Sequence, residues 1–211
     1  MQKVAIFGGT FDPIHWGHLS IAQTAVDQLR LDRVIWVPDH FPPHKQLSAK
    51  LNFQYRWEMV QLAIANHPAF ILSPITTNSP GYSYAIETLI NLQAVYPQTH
   101  WYWIIGQDAF ATLPRWYRRQ EFIPQCEWLV APRKEGSNTE LELLGKKVVK
   151  QLTTESITIR WQILQAPAVA ISSSLIRQYC SEQRSIRYLV PEAVRTYIVN
   201  QQLYQEHQKG L

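Results

Sequence analysis

The sequence predicts an α/β protein built on a doubly wound, mostly parallel sheet with helices on both faces. Three observations carry this. Apolar runs of strand length alternate with stretches of helical periodicity along the chain, the pattern of a parallel sheet with crossover helices. The first run, residues 4–7, ends in Gly8 and Gly9 and leads straight into a helical pattern. A second strong run, residues 100–105, ends in Gly106. Open parallel sheets bind their ligands beyond the carboxyl ends of the strands, so both glycine turns are expected on one rim.

The remaining elements follow in order. Leu19, Ala22, Ala25, Val26 and Leu29 repeat at helical spacing, which predicts a helix over 18–29. Residues 33–37 read as a second strand and 38–50 as a loop rich in Pro and His. Residues 52–65 read as a helix with Phe53, Trp57, Val60 and Ile64 on one face. Residues 70–75 form a strand that Pro74 keeps short or at an edge. A turn at 78–81, a helix over 83–95 and the strand 100–105 come next. Residues 122–125 lead to a strand at 128–131, and 132–137 is the best linker candidate. A charged helix over 139–150 and an alternating strand over 157–164 follow. Ser172 opens a helix through 180, Pro191 opens the last one, and the tail from Gln205 is polar.

Composition narrows the function classes. At 211 residues the chain fits one domain, 1–211, and 46% hydrophobic content supports a sizeable core. A net charge of +4 suits a small anionic substrate but is thin for a nucleic-acid binder. Cys126 and Cys180 have no metal or redox spacing and read as reduced thiols. No apolar stretch approaches 18 residues, so neither a signal peptide nor a membrane span is expected, and a cytoplasmic setting is the default.

The chemistry concentrates in residues 8–18. Gly8 and Gly9 let a ligand approach the backbone, and Asp12-Pro13 is a turn signal. His15 and His18 then sit three apart at a helix start, where free N–H groups and the helix dipole favour phosphate. GGTFDPIHWGH resembles the GGTFDPxHxGH signature of the nucleotidyltransferase family that includes the nicotinate mononucleotide adenylyltransferases. Neither a P-loop nor a G-x-G-x-x-G fingerprint is present. The alternative for this stretch is a glycine turn with two surface histidines.

Further segments extend the resemblance from residue 4 to about 198, most weakly over 133–165. Pro42-Pro43-His44-Lys45 resembles the family's PPHK element, which implies that Lys45 meets phosphate; a solvated loop lysine is the alternative. Ser83 to Leu89 resembles SYTxDTL near the pyridine ring, with Ala85 in place of Thr and Glu87 in place of Asp. Ile104-Ile105-Gly106-Gln107-Asp108, with Trp116 further on, resembles IIGxDxxxxLxxW. That implies Asp108 on ribose hydroxyls and Trp116 stacked on the pyridine ring, against a helix cap and core packing as the plain readings. Arg133 resembles a strand-end Arg beside the adenine. Residues 171–177 resemble ISSTxIR, with Ser174 in place of Thr and Ala170 where an acidic residue is usual. Residues 190–198 resemble the family's closing helix.

The resemblance implies a Rossmann-like fold and adenylyl transfer from ATP to nicotinate mononucleotide. It assigns catalysis to His15, His18, Lys45 and Arg177. ATP would be held by Gly8, Gly9, Thr10, Phe11, Gly106, Asp108, Arg133, Ile171, Ser173 and Ser174, and the mononucleotide by Tyr84, Ala85, Trp116 and Tyr117. Mg²⁺ is expected to travel on the ATP phosphates, with no dedicated metal site. ATP and nicotinate mononucleotide are the expected partners, with no nucleic acid and no membrane; oligomeric state is left open. The alternatives are nicotinamide mononucleotide or another phosphorylated acceptor such as phosphopantetheine, or a non-catalytic nucleotide- or RNA-binding module.

Overall fold

Six strands pair in the order β3-β2-β1-β4-β5-β6. They are β1 (Gln2–Gly9), β2 (Arg33–Pro38), β3 (Phe70–Leu72), β4 (Thr99–Gly106), β5 (Glu127–Ala131) and β6 (Arg160–Ile163). Every pairing is parallel, so the sheet goes beyond the mostly parallel one expected. The computed structural model describes residues 1–39, 51–74, 84–133, 138–167 and 169–205. The expected turn at 78–81 lies outside the described residues.

The helices are α1 (Trp16–Leu29), α2 (Phe53–Ile64), α3 (Ala85–Val95), α4 (Gln107–Phe110), α5 (Arg119–Phe122), α6 (Asn138–Thr153), α7 (Ser173–Ser181) and α8 (Glu192–Asn200). Strand side chains alternate strictly between the two faces. Ala5, Phe7, Val34, Trp36, Tyr102 and Ile104 join one core with α1, α2, α7 and α8. Val4, Ile6, Ile35, Trp101, Trp103 and Ile105 join the other with α3 and α6. The sheet is therefore wound on both faces. Its strand order reverses between β1 and β4, and the crevice there is where such sheets place their ligands.

Several boundaries differ from the sequence reading for identifiable reasons. β3 is three residues long and lies at the sheet edge, as Pro74 implies. Helix α2 buries Arg56, Met59, Val60 and Ile64, one position round from the stripe that Phe53 and Trp57 suggest. β6 starts at Arg160, not 157, because the end of α6 takes the preceding residues. Ser156 has a φ of 60° and the Ile157 N–H donates to the Leu152 carbonyl at 3.0 Å. Gly145 of α6 is a packing residue: a Cβ there would stand 2.0 Å from the Trp161 ring. Short pieces between β4 and β5 (α4, α5 and 3₁₀ turns at Leu113–Arg115 and Ile123–Gln125) carry too few residues to show periodicity. Among the described residues no helix is long and apolar enough to cross a membrane.

Candidate active site

Gly8 and Gly9 are the last residues of β1, so the turn itself falls to residues 10–13. Its left-handed residue is Phe11, with φ of 48°, rather than a glycine. The glycines serve close approach instead. A Cβ on Gly9 would stand 2.9 Å from the Phe11 ring, and one on Gly17 3.0 Å from the His15 ring. Across the crevice a Cβ on Gly106 would meet nothing within 4 Å among the described residues, so the end of β4 is open there.

His15 is the N-cap of α1 and His18 lies in its first turn. Their rings stack at 3.8 Å, and Phe7 and Phe11 stand edge-on to His18. His18 Nδ1 accepts from the His15 N–H at 3.3 Å. That bond fixes the tautomer: the proton of the neutral ring is on Nε2. Burial pushes His15 down to about 4. Burial, and then the neighbouring His15, lower His18 well below the usual histidine value. Both rings are therefore neutral at pH 7 in the unliganded protein, and each can donate one hydrogen bond. His15 Nδ1 is buried and has no hydrogen-bond partner among the described residues.

Loop 10–13 is pinned from three directions. From α7, the Arg177 guanidinium donates to the Asp12 carbonyl at 2.7 Å and the Ser173 hydroxyl to the Pro13 carbonyl at 2.8 Å. From α2, Arg56 donates to the carbonyls of Thr10 and Asp39, each at 2.7 Å, and of Leu51 at 3.3 Å. From beyond α8, the Tyr204 hydroxyl donates to the Asp12 carboxylate at 2.8 Å.

The serines at the start of α7, two of which the resemblance assigns to ATP, are engaged within the protein. Ser172 caps α7 by accepting from the Leu175 N–H at 3.2 Å, Ser173 is spent on Pro13, and Ser174 accepts from Arg177 at 3.3 Å. What α7 offers a phosphate is therefore its first-turn N–H groups and the rest of the Arg177 fork, more than three hydroxyls. The Ile171 carbonyl lies 3.8 Å from the Cβ position of Gly17, which brings the start of α7 against that of α1.

On the other bank, Gly106 caps the short helix α4, so Asp108 is not its cap. Asp108 pairs with Arg133 at 2.6 Å, with both side chains about seven-tenths exposed (72% and 70%). Two residues expected to meet ATP separately thus hold each other. Trp116 is half-buried, lies parallel to Phe122 with centroids 6.1 Å apart, and donates from Nε1 to the Thr112 hydroxyl at 3.0 Å. Tyr84, the N-cap of α3, packs on the exposed Tyr117 ring at 4.4 Å, with Ala85 following at the first helical position. Ser83, His44 and Lys45 lie outside the described residues.

The Cytidylyltransferase-like family model matches residues 6–179. A probable nicotinate-nucleotide adenylyltransferase of Trichormus variabilis is 54% identical over 208 residues, covering 98% of this chain and 99% of that one. The chain belongs to the nicotinate-nucleotide adenylyltransferases of the Cytidylyltransferase-like family. A second relative of the same name, from Gloeobacter violaceus, is 42% identical over 96% of each chain. The solved Plasmodium falciparum nicotinic acid mononucleotide adenylyltransferase complexed with NaAD matches with a TM-score of 0.76 at 17% identity, covering 97% of this chain and 98% of that one. At that identity the match speaks for the fold alone.

Three residues of this adenylyltransferase-family site escape motif reading: Arg56, Asp12 as a bonded carboxylate, and Tyr204. Arg56 left a trace, since an arginine in phase with Met59, Val60 and Ile64 sits on an apolar stripe and needs buried acceptors. The bond between Asp12 and Tyr204 spans 192 positions and leaves none.

Proposed function

We propose that the chain transfers the adenylyl group of ATP to nicotinate mononucleotide, giving deamido-NAD and pyrophosphate. The observation that carries this reading is the pair of neutral histidines at the start of α1, facing a loop that Arg177 grips from α7. An oxygen of the mononucleotide phosphate attacks the α-phosphorus of ATP. The bond from that phosphorus to the α–β bridging oxygen breaks, and pyrophosphate leaves. No protein nucleophile is required, so the work is positioning and neutralisation of developing charge.

His18 donates from Nε2 toward the α–β bridge, and His15 toward the neighbouring phosphate oxygens. Lys45 and Arg177 take the β,γ side, and the first turn of α7 cradles it. Among the described residues no group of three His, Cys, Asp or Glu can hold a metal, and the Asp12 and Asp108 carboxylates are already bonded. Mg²⁺ would be held mainly by the triphosphate, where it would supply charge neutralisation. The free thiols Cys126 and Cys180 suit the reducing cytoplasm we propose as the setting.

The acceptor is chosen on the Tyr84–Tyr117 side. Backbone N–H groups of Tyr84, Ala85 and Tyr117 are donors only, and a nicotinate carboxylate accepts from all of them. A nicotinamide must turn its NH₂ toward a donor and leave both unpaired, at about 1–3 kcal/mol. The expected preference for nicotinate mononucleotide is thus roughly tenfold to hundredfold in kcat/KM. Pyrophosphate release measured with each mononucleotide at one ATP concentration tests it. Equal rates, or faster turnover of the amide, overturn the acceptor assignment and leave adenylyl transfer standing. No release with either overturns the transfer itself.

A further inference from the structure

The family match ends at residue 179, yet the loop it begins with is held from beyond that point. After α8 the chain curls back on itself. Gln202 and Tyr204 take left-handed backbone angles, φ 51° and 64°, and the Leu203 N–H donates to the Ile198 carbonyl at 3.0 Å. Leu203 is buried in the core beneath α1 and α8, which anchors the curl. The curl points the Tyr204 hydroxyl at the Asp12 carboxylate, 2.8 Å away. Asp12 is 3% exposed, so that carboxylate has little access to water and depends on protein donors. Its own carbonyl is the acceptor for Arg177. One residue thus joins the C-terminal turn, through its side chain, to the phosphate-facing arginine, through its backbone.

We propose that Tyr204 is a positioning residue of the adenylyl-transfer site, acting through Asp12 to hold loop 10–13 in the orientation that Arg177 and His15 share. The proposal rests on the adenylyl-transfer reading above. The chemistry of the contact suits a fixed strut. Burial first, and the Asp12 charge next, push the Tyr204 hydroxyl far above the usual tyrosine value, so it stays a donor at every working pH. A charge-assisted bond of this kind has a narrow preferred geometry. Without it the carboxylate would seek other donors, and Arg56 and Arg177 are the nearby cations. Either move shifts the backbone to which Arg177 is bonded.

Tyr197 supplies the comparison. Its hydroxyl bonds a carboxylate too, that of Glu58 on α2, but no atom of loop 10–13. The experiment is steady-state kinetics and thermal melting of the full chain as wild type, Tyr204→Phe, Tyr197→Phe, Asp12→Asn and the Tyr204→Phe/Asp12→Asn double variant. Tyr204→Phe keeps the ring and is expected to lower kcat about tenfold while KM for nicotinate mononucleotide stays within about twofold. Tyr197→Phe is expected to lower the Tm and leave kcat unchanged. The double variant is expected to be no slower than Asp12→Asn alone, because the two residues act as one unit. Equal kcat for Tyr204→Phe and wild type, additive losses in the double variant, or a kcat loss in Tyr197→Phe matching that in Tyr204→Phe overturns the proposal. Absence of pyrophosphate release from the wild type instead overturns the reading on which it rests, and the proposal with it.

Discussion

The two banks of the crevice between β1 and β4 are held in place by different means. On the β1 side, loop 10–13 takes bonds from Arg56, Ser173, Arg177 and Tyr204, which come from α2, α7 and the turn after α8. Its His18 ring is walled in by Phe7 and Phe11, and His15 stacks on His18. On the β4 side Asp108, Arg133 and Tyr117 are exposed, Tyr84 and Trp116 are half-buried, and the pairs hold one another, Asp108 with Arg133 and Tyr84 with Tyr117. The difference matches two tasks. Charge on a transferring phosphoryl group is stabilised only by donors already fixed in place, because reorganising them would consume the gain. Selecting an acceptor tolerates side chains that rearrange when it arrives. On the proposed reading, the chain puts its rigidity where the bond changes and its freedom where the substrate is recognised.

The largest expected effect lies at His18. Its ring fills a space beside Phe7 and Phe11, so an alanine there mixes a packing defect with the loss of a donor. Asparagine and glutamine separate the two. His18→Asn places an acceptor where Nδ1 meets the His15 N–H and removes the Nε2 donor. His18→Gln keeps a donor near Nε2. The expected result is a loss of about 10²-fold in kcat for the Asn variant and a smaller one for Gln, the range for a lost transition-state donor. Near-native kcat in His18→Asn would show that the ring is only part of the wall.

Acid reaches the same bank next. His15 is pushed down to about 4 by burial, and His18 is lowered too, while both titrate near 6.5 once unfolded. Between those values the unfolded chain binds protons that the folded chain refuses, so stability falls as pH drops through 6.5 and levels off below the folded values. From pH 7 to pH 5 the expected loss from His15 is roughly 2 kcal/mol, and His18 adds a loss of the same sign. Urea melts across that range, on the wild type and on His15→Gln, check it. The same slope in both would show that His15 titrates normally. Bound ATP should shrink the effect, since phosphate beside the rings favours their protonated form.

The two banks also differed in how much of them could be read from the chain. Strand-glycine-helix order and the alternation of apolar runs give the sheet, because burial on both faces leaves long apolar runs in parallel strands. The phosphate bank shows in sequence because its groups are consecutive: Gly8 to His18 and Ser172 to Arg177. What pins it is not consecutive. Arg56 and Tyr204 reach loop 10–13 from 46 and 192 positions away, and such contacts exist only after the core has closed. The short helices α4 and α5 were invisible for a local reason, since four residues make barely one turn. On the β4 bank, Asp108 and Arg133 were visible as residues but not as a pair, because the register of β4 with β5 sets their distance.

The smallest expected effect lies at that pair. Asp108 and Arg133 sit 2.6 Å apart at about 70% exposure, so water and salt screen their attraction. Exposed pairs contribute about 0–1 kcal/mol, which for a chain of this length is a Tm change of no more than about 2–4 °C. If the β4 bank is a recognition surface and not a strut, Arg133→Ala and Asp108→Asn should both leave the Tm and kcat almost untouched and raise KM for ATP by less than about tenfold. Their effects should also fade in high salt, more than those at loop 10–13, where the bonds are part-buried. A Tm fall of many degrees in either variant would make the pair structural and erase the distinction between the banks. An unchanged KM for ATP in both would remove the pair from the site. A rise in KM for only the Asp108 variant would assign the ribose contact to the carboxylate and leave Arg133 as its resting partner.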